Sequence, residues 1–183
     1  MLETLMNLVQ QQSGQAVINN PAIPNSQNDS VMQTVAGSIM SGLGQQAQGG
    51  GLAGLLGMLT GQGSVNEHPV TQGVQQNVQQ DLMSKLGISP QVAMSIAAAV
   101  VPMVLSKLMH KANDPTDSSV DGNVIMGAAT GKQGVDWMGM AGSAMADGKL
   151  DMNDLMRVAG QQGGGSGNGG GLGGMLGGLF GGK

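Results

Sequence analysis

The longest apolar stretch of the chain, residues 87–113, constrains the fold more than any other feature. Gly87 ends one predicted helix, Ser89 can cap the next, and Pro90 suits its first turn. Apolar side chains then recur at helical spacing and form a broad face, which consists of Val92, Ile96, Val100, Met103, Val104 and Leu108. Pro102 removes one backbone hydrogen bond and predicts a kink near the middle of this helix. Because such a face must be buried, the stretch predicts an all-α multihelical bundle built around it.

Further helices are predicted on both sides, for a total of six or seven short helices. Besides the central helix they are residues 2–12, 26–46, 69–86, 133–146 and 151–159. Residues 49–61 form a marginal helix, because each glycine costs about 0.5–1 kcal/mol relative to alanine. Residues 113–123 are rich in Asn, Asp, Ser and Gly and are predicted to be a loop.

The composition divides the chain into three parts. Residues 1–130 form the helical bundle, residues 131–160 a short Asp-rich helix–turn–helix module, and residues 161–183 a Gly-rich tail that we expect to be flexible. Within the bundle, residues 26–47 and 90–112 carry matching apolar rows at an offset of 65 residues, which suggests an internal duplication. Any two amphipathic helices can be aligned by phase, so both explanations stay open.

The Gly-rich tail ends in an apolar segment that resembles residues 49–59 at an offset of 120. Chance similarity between low-complexity segments is the simpler explanation of this match. We expect the tail to become ordered on a protein partner or on another copy of the chain. The predicted interaction residues are Leu172, Met175, Leu176, Leu179 and Phe180.

The charge and aromatic content argue against nucleic-acid binding. Residues 1–84 contain no Lys or Arg, and the net charge of the chain is −4, so a footprint for phosphates is missing. One Trp, one Phe and no Tyr leave no platform on which bases could stack. No cysteine is present, residues 1–12 lack the pattern of a signal peptide, and no stretch is long enough to predict a membrane span, so we expect a cytoplasmic protein.

One segment resembles half of a calcium-binding helix–loop–helix. If Gly148 is the loop glycine, Asp147, Asp151 and Asp154 fall on ligand positions. The two ligand positions that open the loop are Ser143 and Met145, which cannot begin an oxygen cage for a hard cation. The alternative, which we favour, is a helix–turn–helix in which Asp151 starts the last helix.

No residue pattern predicts an enzyme or a bound cofactor. His68 and His110 lack a second ligand at helical spacing, and the glycine runs lack the Lys–Ser/Thr ending of a phosphate loop. The carboxylates lie in polar turns instead of the apolar cleft that acid–base catalysis needs. We therefore expect a non-enzymatic interaction or assembly protein, as a subunit or cargo of a larger complex. The alternatives are a membrane-associated protein that uses the apolar tail and, more weakly, a divalent-metal module at the Asp-rich loop.

Two segments of the bundle, INNPAIPNSQNDSVMQTVAGSIMSGL (residues 18–43) and LGISPQVAMSIAAAVVPMVLSKL (residues 86–108), carry a family resemblance. With their Ser-capped, Ala-rich helix and internal Val-Pro, they resemble a bacterial family of small uncharacterised proteins related to YidB. The resemblance covers about residues 1–130. It implies a multihelical bundle and no reaction, cofactor or site residue.

Overall fold

The computed structural model describes residues 1–61, 63–114, 116, 120–139 and 142. In this part of the chain the fold is an all-α multihelical bundle with no β-strand, as predicted. Its six α-helices are α1 (Leu2–Gln12), α2 (Asn28–Gln46), α3 (Leu52–Leu59), α4 (Pro69–Leu86), α5 (Pro90–Ala112) and α6 (Gly122–Thr130). Short π- and 3₁₀-helical turns connect several of them.

Helix α5 lies at the centre of the bundle and is continuous through Pro102. Ile96, Val100, Val104 and Leu108 are fully buried, as predicted. Met103 was assigned wrongly to the buried face, since 42% of it is exposed. The buried face turns instead toward the small side chains of Ala93 and Ala97 and continues through Val101, Leu105 and Met109. The sequence pattern favoured the largest side chains, whereas close helix packing selects the small ones here.

Two helix ends follow from local chemistry. Gly87 adopts φ = +65° and closes α4 in the left-handed conformation that glycine accepts without strain. At the other end of α4, the His68 side chain accepts a hydrogen bond from the Val70 backbone N–H at 3.3 Å. Ser89 occupies the N-cap position of α5, but its side chain makes no capping hydrogen bond. Ser89 therefore contributes only its backbone conformation to this start.

The predictions around α6 and α3 need correction. Residues 122–123 belong to α6 instead of a loop, because Asp121 accepts a hydrogen bond from the Val124 N–H at 2.7 Å and caps the helix. The helix predicted over 133–146 has no helical residue before Trp137 in the described part. Helix α3 is shorter than the predicted 49–61, since Gly50 takes φ = +89° and interrupts the helical path.

Helices α1 and α4 each pack against both α2 and α5. Helix α3 contacts α2, α4 and α5, and helix α6 contacts α2 and α5. The helices α1, α2 and α3 can be compared with α4, α5 and α6. The contacts α1–α2 and α2–α3 then correspond to α4–α5 and α5–α6, and the contacts α1–α5 and α3–α5 correspond to α4–α2 and α6–α2. The contact of α3 with α4 has no counterpart of similar extent between α6 and α1, so the two three-helix halves share most, but not all, of their helix–helix contacts.

The offset of 65 residues extends beyond the two helices in which it was first seen. Along α1 and its following turn, Leu5, Val9, Ser13 and Val17 correspond to Val70, Val74, Val78 and Leu82 of α4, and all eight are buried. A chance match in phase between α2 and α5 would not by itself make α1 match α4 at the same offset. The internal duplication remains a prediction, and these two observations support it.

Candidate interaction surfaces

Helix α3 occupies a docking site on the rest of the bundle. Its buried side chains are Leu55, Leu56, Met58 and Leu59. We call the surface beneath it the α3 site: the parts of α2, α4 and α5 that contact α3, including His68, Val70 and Asn113. Asn113 donates a hydrogen bond from Nδ2 to the Leu59 carbonyl at 3.0 Å and so holds the C-terminal end of α3.

Three glycines in or before α3 are restricted, Gly54 by its neighbours on the bundle and Gly50 and Gly51 by the path of the chain that enters the helix. A Cβ on Gly54 would lie 3.1 Å from both the His68 ring and a methyl group of Val70, which is tighter than ordinary packing. A Cβ on Gly51 would lie 2.7 Å from the Gln46 carbonyl oxygen, a distance that real side chains do not adopt. Gly50 has φ = +89°, a conformation that L side chains rarely take. Of these three glycines, only Gly54 is restricted by the α3 site, where an added Cβ would require His68 or Val70 to shift by a few tenths of an ångström.

Helix α6 is the third helix of the other half and packs against α2 and α5. Its buried side chains include Ile125, Met126 and Ala129. A Cβ on Gly127 would lie 3.2 Å from the Lys132 carbonyl oxygen, so the following turn packs closely over this helix. Trp137, which is 4% exposed, donates a hydrogen bond from Nε1 to the same carbonyl at 3.4 Å. The single tryptophan thus closes the far side of α6.

Helices α3 and α6 share one local pattern. Two buried apolar residues are followed by a glycine and, two positions later, by a buried apolar residue: Leu55-Leu56-Gly57 with Leu59, and Ile125-Met126-Gly127 with Ala129. The C-terminal segment repeats it as Met175-Leu176-Gly177 with Leu179. All five predicted interaction residues, Leu172, Met175, Leu176, Leu179 and Phe180, lie outside the described residues.

A groove of about 410 Å³ runs between α4 and α5. Four glutamines of α4, Gln72, Gln75, Gln76 and Gln79, line it together with Asn66, Glu67, Met94, Ala97 and Ala98. Met94 is 58% exposed. Amide side chains and methionine lose less on desolvation than charged groups do, and interfaces are depleted in charge. The groove is thus lined mainly by amide side chains and small apolar groups, with Glu67 as the charged side chain among its lining residues.

A second cleft, of about 550 Å³, lies beside α6 and the N-terminal Met1. Asp121 and Asp136 line it, but both carboxylates serve the local backbone: Asp121 caps α6, and Asp136 accepts a hydrogen bond from the Gly139 N–H at 2.9 Å. In each carboxylate it is Oδ1 that accepts this hydrogen bond. Among the described residues no group of three or more His, Asp or Glu side chains could hold a metal ion.

The α2–α4 interface contains a seam of polar side chains. Ser38, which is fully buried, donates a hydrogen bond to Asp81, and Lys85 pairs with the same carboxylate at 2.9 Å. Partial burial raises the pKa of Asp81, but the hydrogen bonds from Ser38 and Lys85 and the charge of Lys85 outweigh this effect, so the pKa lies below its ordinary value. Ser41 donates a hydrogen bond to Asn77 at 3.1 Å in the same seam. These hydrogen bonds join α2 to α4 and help to fix the register between the two helices.

The other predicted site residues fall into two groups. Asp147, Asp151 and Asp154 lie outside the described residues, so the calcium-loop alternative stays a prediction. His68 is engaged as the cap of α4, and His110 lies in the last turn of α5, where the helix dipole favours a cation. Sequence reasoning missed α6, although the Asp121 cap before an apolar run was a usable signal.

Helix α5 is long and apolar enough to cross a membrane by length and composition, and it is the one such helix in the described part of the chain. Its most apolar window has a mean hydropathy of 1.9, and 56% of that window is buried inside the bundle. A core helix of a soluble protein passes the same test, which makes this weak support for a span.

The resemblance to the YidB-related family rests on residues of α2, α5 and the turns before them, and it stays a prediction. Comparison with family models, with curated proteins and with solved structures finds no match to this chain.

Proposed function

We propose that this chain is a non-enzymatic assembly protein whose C-terminal segment, residues 172–180, binds a protein partner or another copy of the chain. The repeated pattern carries this proposal: α3 and α6 bury it against the bundle, and the C-terminal segment contains it a third time. An apolar segment of this kind gains free energy only where a surface covers it. Membership of the YidB-related family and a cytoplasmic location are part of the same proposal, and the all-α bundle is compatible with both.

Size-exclusion chromatography with light scattering tests this function on the full chain and on a chain truncated after Gly160. We expect the full chain to form assemblies, alone or with added cell extract, that the truncated chain does not form. A truncated chain that keeps every assembly contact would overturn the proposal. Circular dichroism on both proteins checks that the truncation leaves the helical bundle folded.

A membrane surface is the second candidate, because no charged residue occurs between Arg157 and Lys183. An uncharged apolar segment can enter the interfacial region of a bilayer, although one lysine adds little attraction to anionic lipid. Co-sedimentation with liposomes of mixed anionic and zwitterionic lipid distinguishes the two functions. Binding that is lost on Phe180→Asp supports the membrane, and an absence of sedimentation removes this candidate.

Calorimetry with calcium tests the Asp-rich loop in the same way, and a titration without heat ends that alternative.

A further inference from the structure

We propose that the groove between α4 and α5 binds the same groove of a second copy of this chain and so forms a two-fold dimer. All residues that line this groove belong to the described bundle. The inference therefore goes beyond the proposed function, because this dimer does not need the C-terminal segment.

The α4 wall of the groove is a row of amide side chains. Gln72, Gln75, Gln76 and Gln79 follow one another at helical spacing, so they share one face and extend about 10 Å along α4. Gln72 donates a long hydrogen bond from Nε2 to the Glu67 carbonyl at 3.5 Å. Within the part of the chain that the structure describes, the other three amides have no hydrogen-bond partner. Their donors and acceptors are therefore available to another molecule.

A row of glutamines can pair with its own copy. Each glutamine side chain carries two N–H donors and one carbonyl acceptor. A two-fold axis brings a surface against itself, so the groups of that surface must be able to pair with groups of the same kind. Glutamines meet this condition, whereas a row of lysines or of carboxylates would face like charges. The chemistry of the α4 wall therefore favours a second copy over a charged partner.

The α5 wall carries a protruding side chain beside two small ones. Met94 is 58% exposed, and Ala97 and Ala98 line the groove next to it. In a two-fold pair, the Met94 side chain of each copy can lie over the two alanines of the other. A flexible thioether side chain adapts to such a surface. Burial of the exposed part of Met94 adds an apolar contribution to the hydrogen bonds of the amides.

The charges around the groove are compatible with a two-fold pair. Residues 69–80 of α4 and residues 90–106 of α5 contain no charged side chain. Glu67 lines the groove and precedes the start of α4 at Pro69. Pro69 lies about 10 Å along α4 from the centre of the glutamine row, so an axis through that centre places the two Glu67 side chains at opposite ends of the interface. At a separation of about 20 Å, salt screens their repulsion.

Charges at the centre of the glutamine row test whether the groove meets its own copy. Gln76 is exposed and would lie next to the axis. Gln76→Glu alone and Gln76→Lys alone should each lower the dimer association constant about tenfold or more, because each new charge faces its own image. An equimolar mixture of the two variants should restore association through mixed dimers. Sedimentation equilibrium on the full chain measures all three, and circular dichroism verifies that each variant is folded.

Gln11 provides the matched control for this experiment. It is the counterpart of Gln76 at the offset of 65 residues, it is exposed on α1, and it does not line the groove. Gln11→Glu and Gln11→Lys change the net charge in the same way as the Gln76 variants. They should change the association constant by less than about twofold, alone or mixed, because their charges stay in solvent.

Two exposed methionines on α5 test the other wall. Met94→Asp should lower the association constant about tenfold or more, because the interface would bury a carboxylate. Met103→Asp is the control, since Met103 is 42% exposed on the same helix and does not line the groove. We expect it to change the association constant by less than about twofold. Equal losses in both variants would contradict the assignment of the groove.

The outcomes separate this inference from the proposed function. Gln76 variants that each lose association and do not recover it on mixing overturn the second copy and point to a foreign segment in the groove. A chain that stays monomeric at a concentration on the order of 1 mM, or Gln76 variants that match their Gln11 controls, also overturns the inference. None of these results affects assembly through residues 172–180 with another protein. Recovery on mixing, in a chain whose assembly does not depend on residues 161–183, supports the inference and overturns the proposed function.

Discussion

Two fully buried serines allow one substitution to be tested in opposite environments. Ser13 lies at the end of α1 with 0% exposure, and its hydroxyl oxygen has no hydrogen-bond partner. Ser38 is equally buried, but its hydroxyl donates to Asp81. A buried hydroxyl without a partner destabilises the folded state by about 1–3 kcal/mol, so its removal should stabilise the protein. Removal of a hydroxyl that donates to a charged group should destabilise the folded state by a similar amount.

Ser13→Ala should therefore raise the free energy of unfolding by about 1 kcal/mol, and Ser38→Ala should lower it by about 1–2 kcal/mol. Alanine is the better helix former at both positions, so this contribution largely cancels in the comparison. For a chain of this size the shifts correspond to about 2–4 °C in Tm per kcal/mol. Thermal and urea unfolding followed by circular dichroism measure both. If Ser13→Ala destabilises the protein as much as Ser38→Ala does, the reasoning from unpaired hydroxyls is wrong.

Two further predictions use other parts of the structure. Because the pKa of Asp81 is lowered in the folded state, the ionised carboxylate contributes its full stabilisation above its ordinary pKa of about 3.9, and this contribution is lost as the pH falls through the lower folded-state value. The free energies of unfolding of wild type and Asp81→Asn should therefore converge in acid. A constant difference between them down to pH 2 would contradict this. Asp121→Ala should lower the free energy of unfolding by about 1 kcal/mol through loss of the α6 cap, while Asp121→Asn should retain most of it, as measured by urea unfolding.

The sequence predicted the long helices because their signals are local. Helix α4 begins at Pro69 and ends before Gly87 as expected, since a proline and a left-handed glycine act on the backbone without tertiary help. The orientation of α5 was less accessible: Met103 is exposed because the neighbouring helices contact the alanine side of α5, and no single helix encodes where its neighbours lie. The same limit hid the α3 site, because the need for glycine at Gly54 comes from His68 and Val70 on another helix.

The two halves also differ at positions that correspond by the offset of 65 residues. The buried Ser38 of α2 corresponds to Met103 of α5, and Asp81 of α4 corresponds to Ala16 beyond the end of α1. Helix α4 has 18 residues, whereas α1 has 11 and continues only as a π-helical turn. Because α1 is shorter, it covers less of α5 than α4 covers of α2. Met103 is therefore 42% exposed, whereas its counterpart Ser38 is buried and donates a hydrogen bond to Asp81. If the halves arose by duplication, the polar seam between α2 and α4 and the exposed methionine on α5 are divergent versions of one interface.

Met103→Ser should then leave the free energy of unfolding nearly unchanged, whereas Ser38→Met should lower it by several kcal/mol through overpacking and loss of the Asp81 partner.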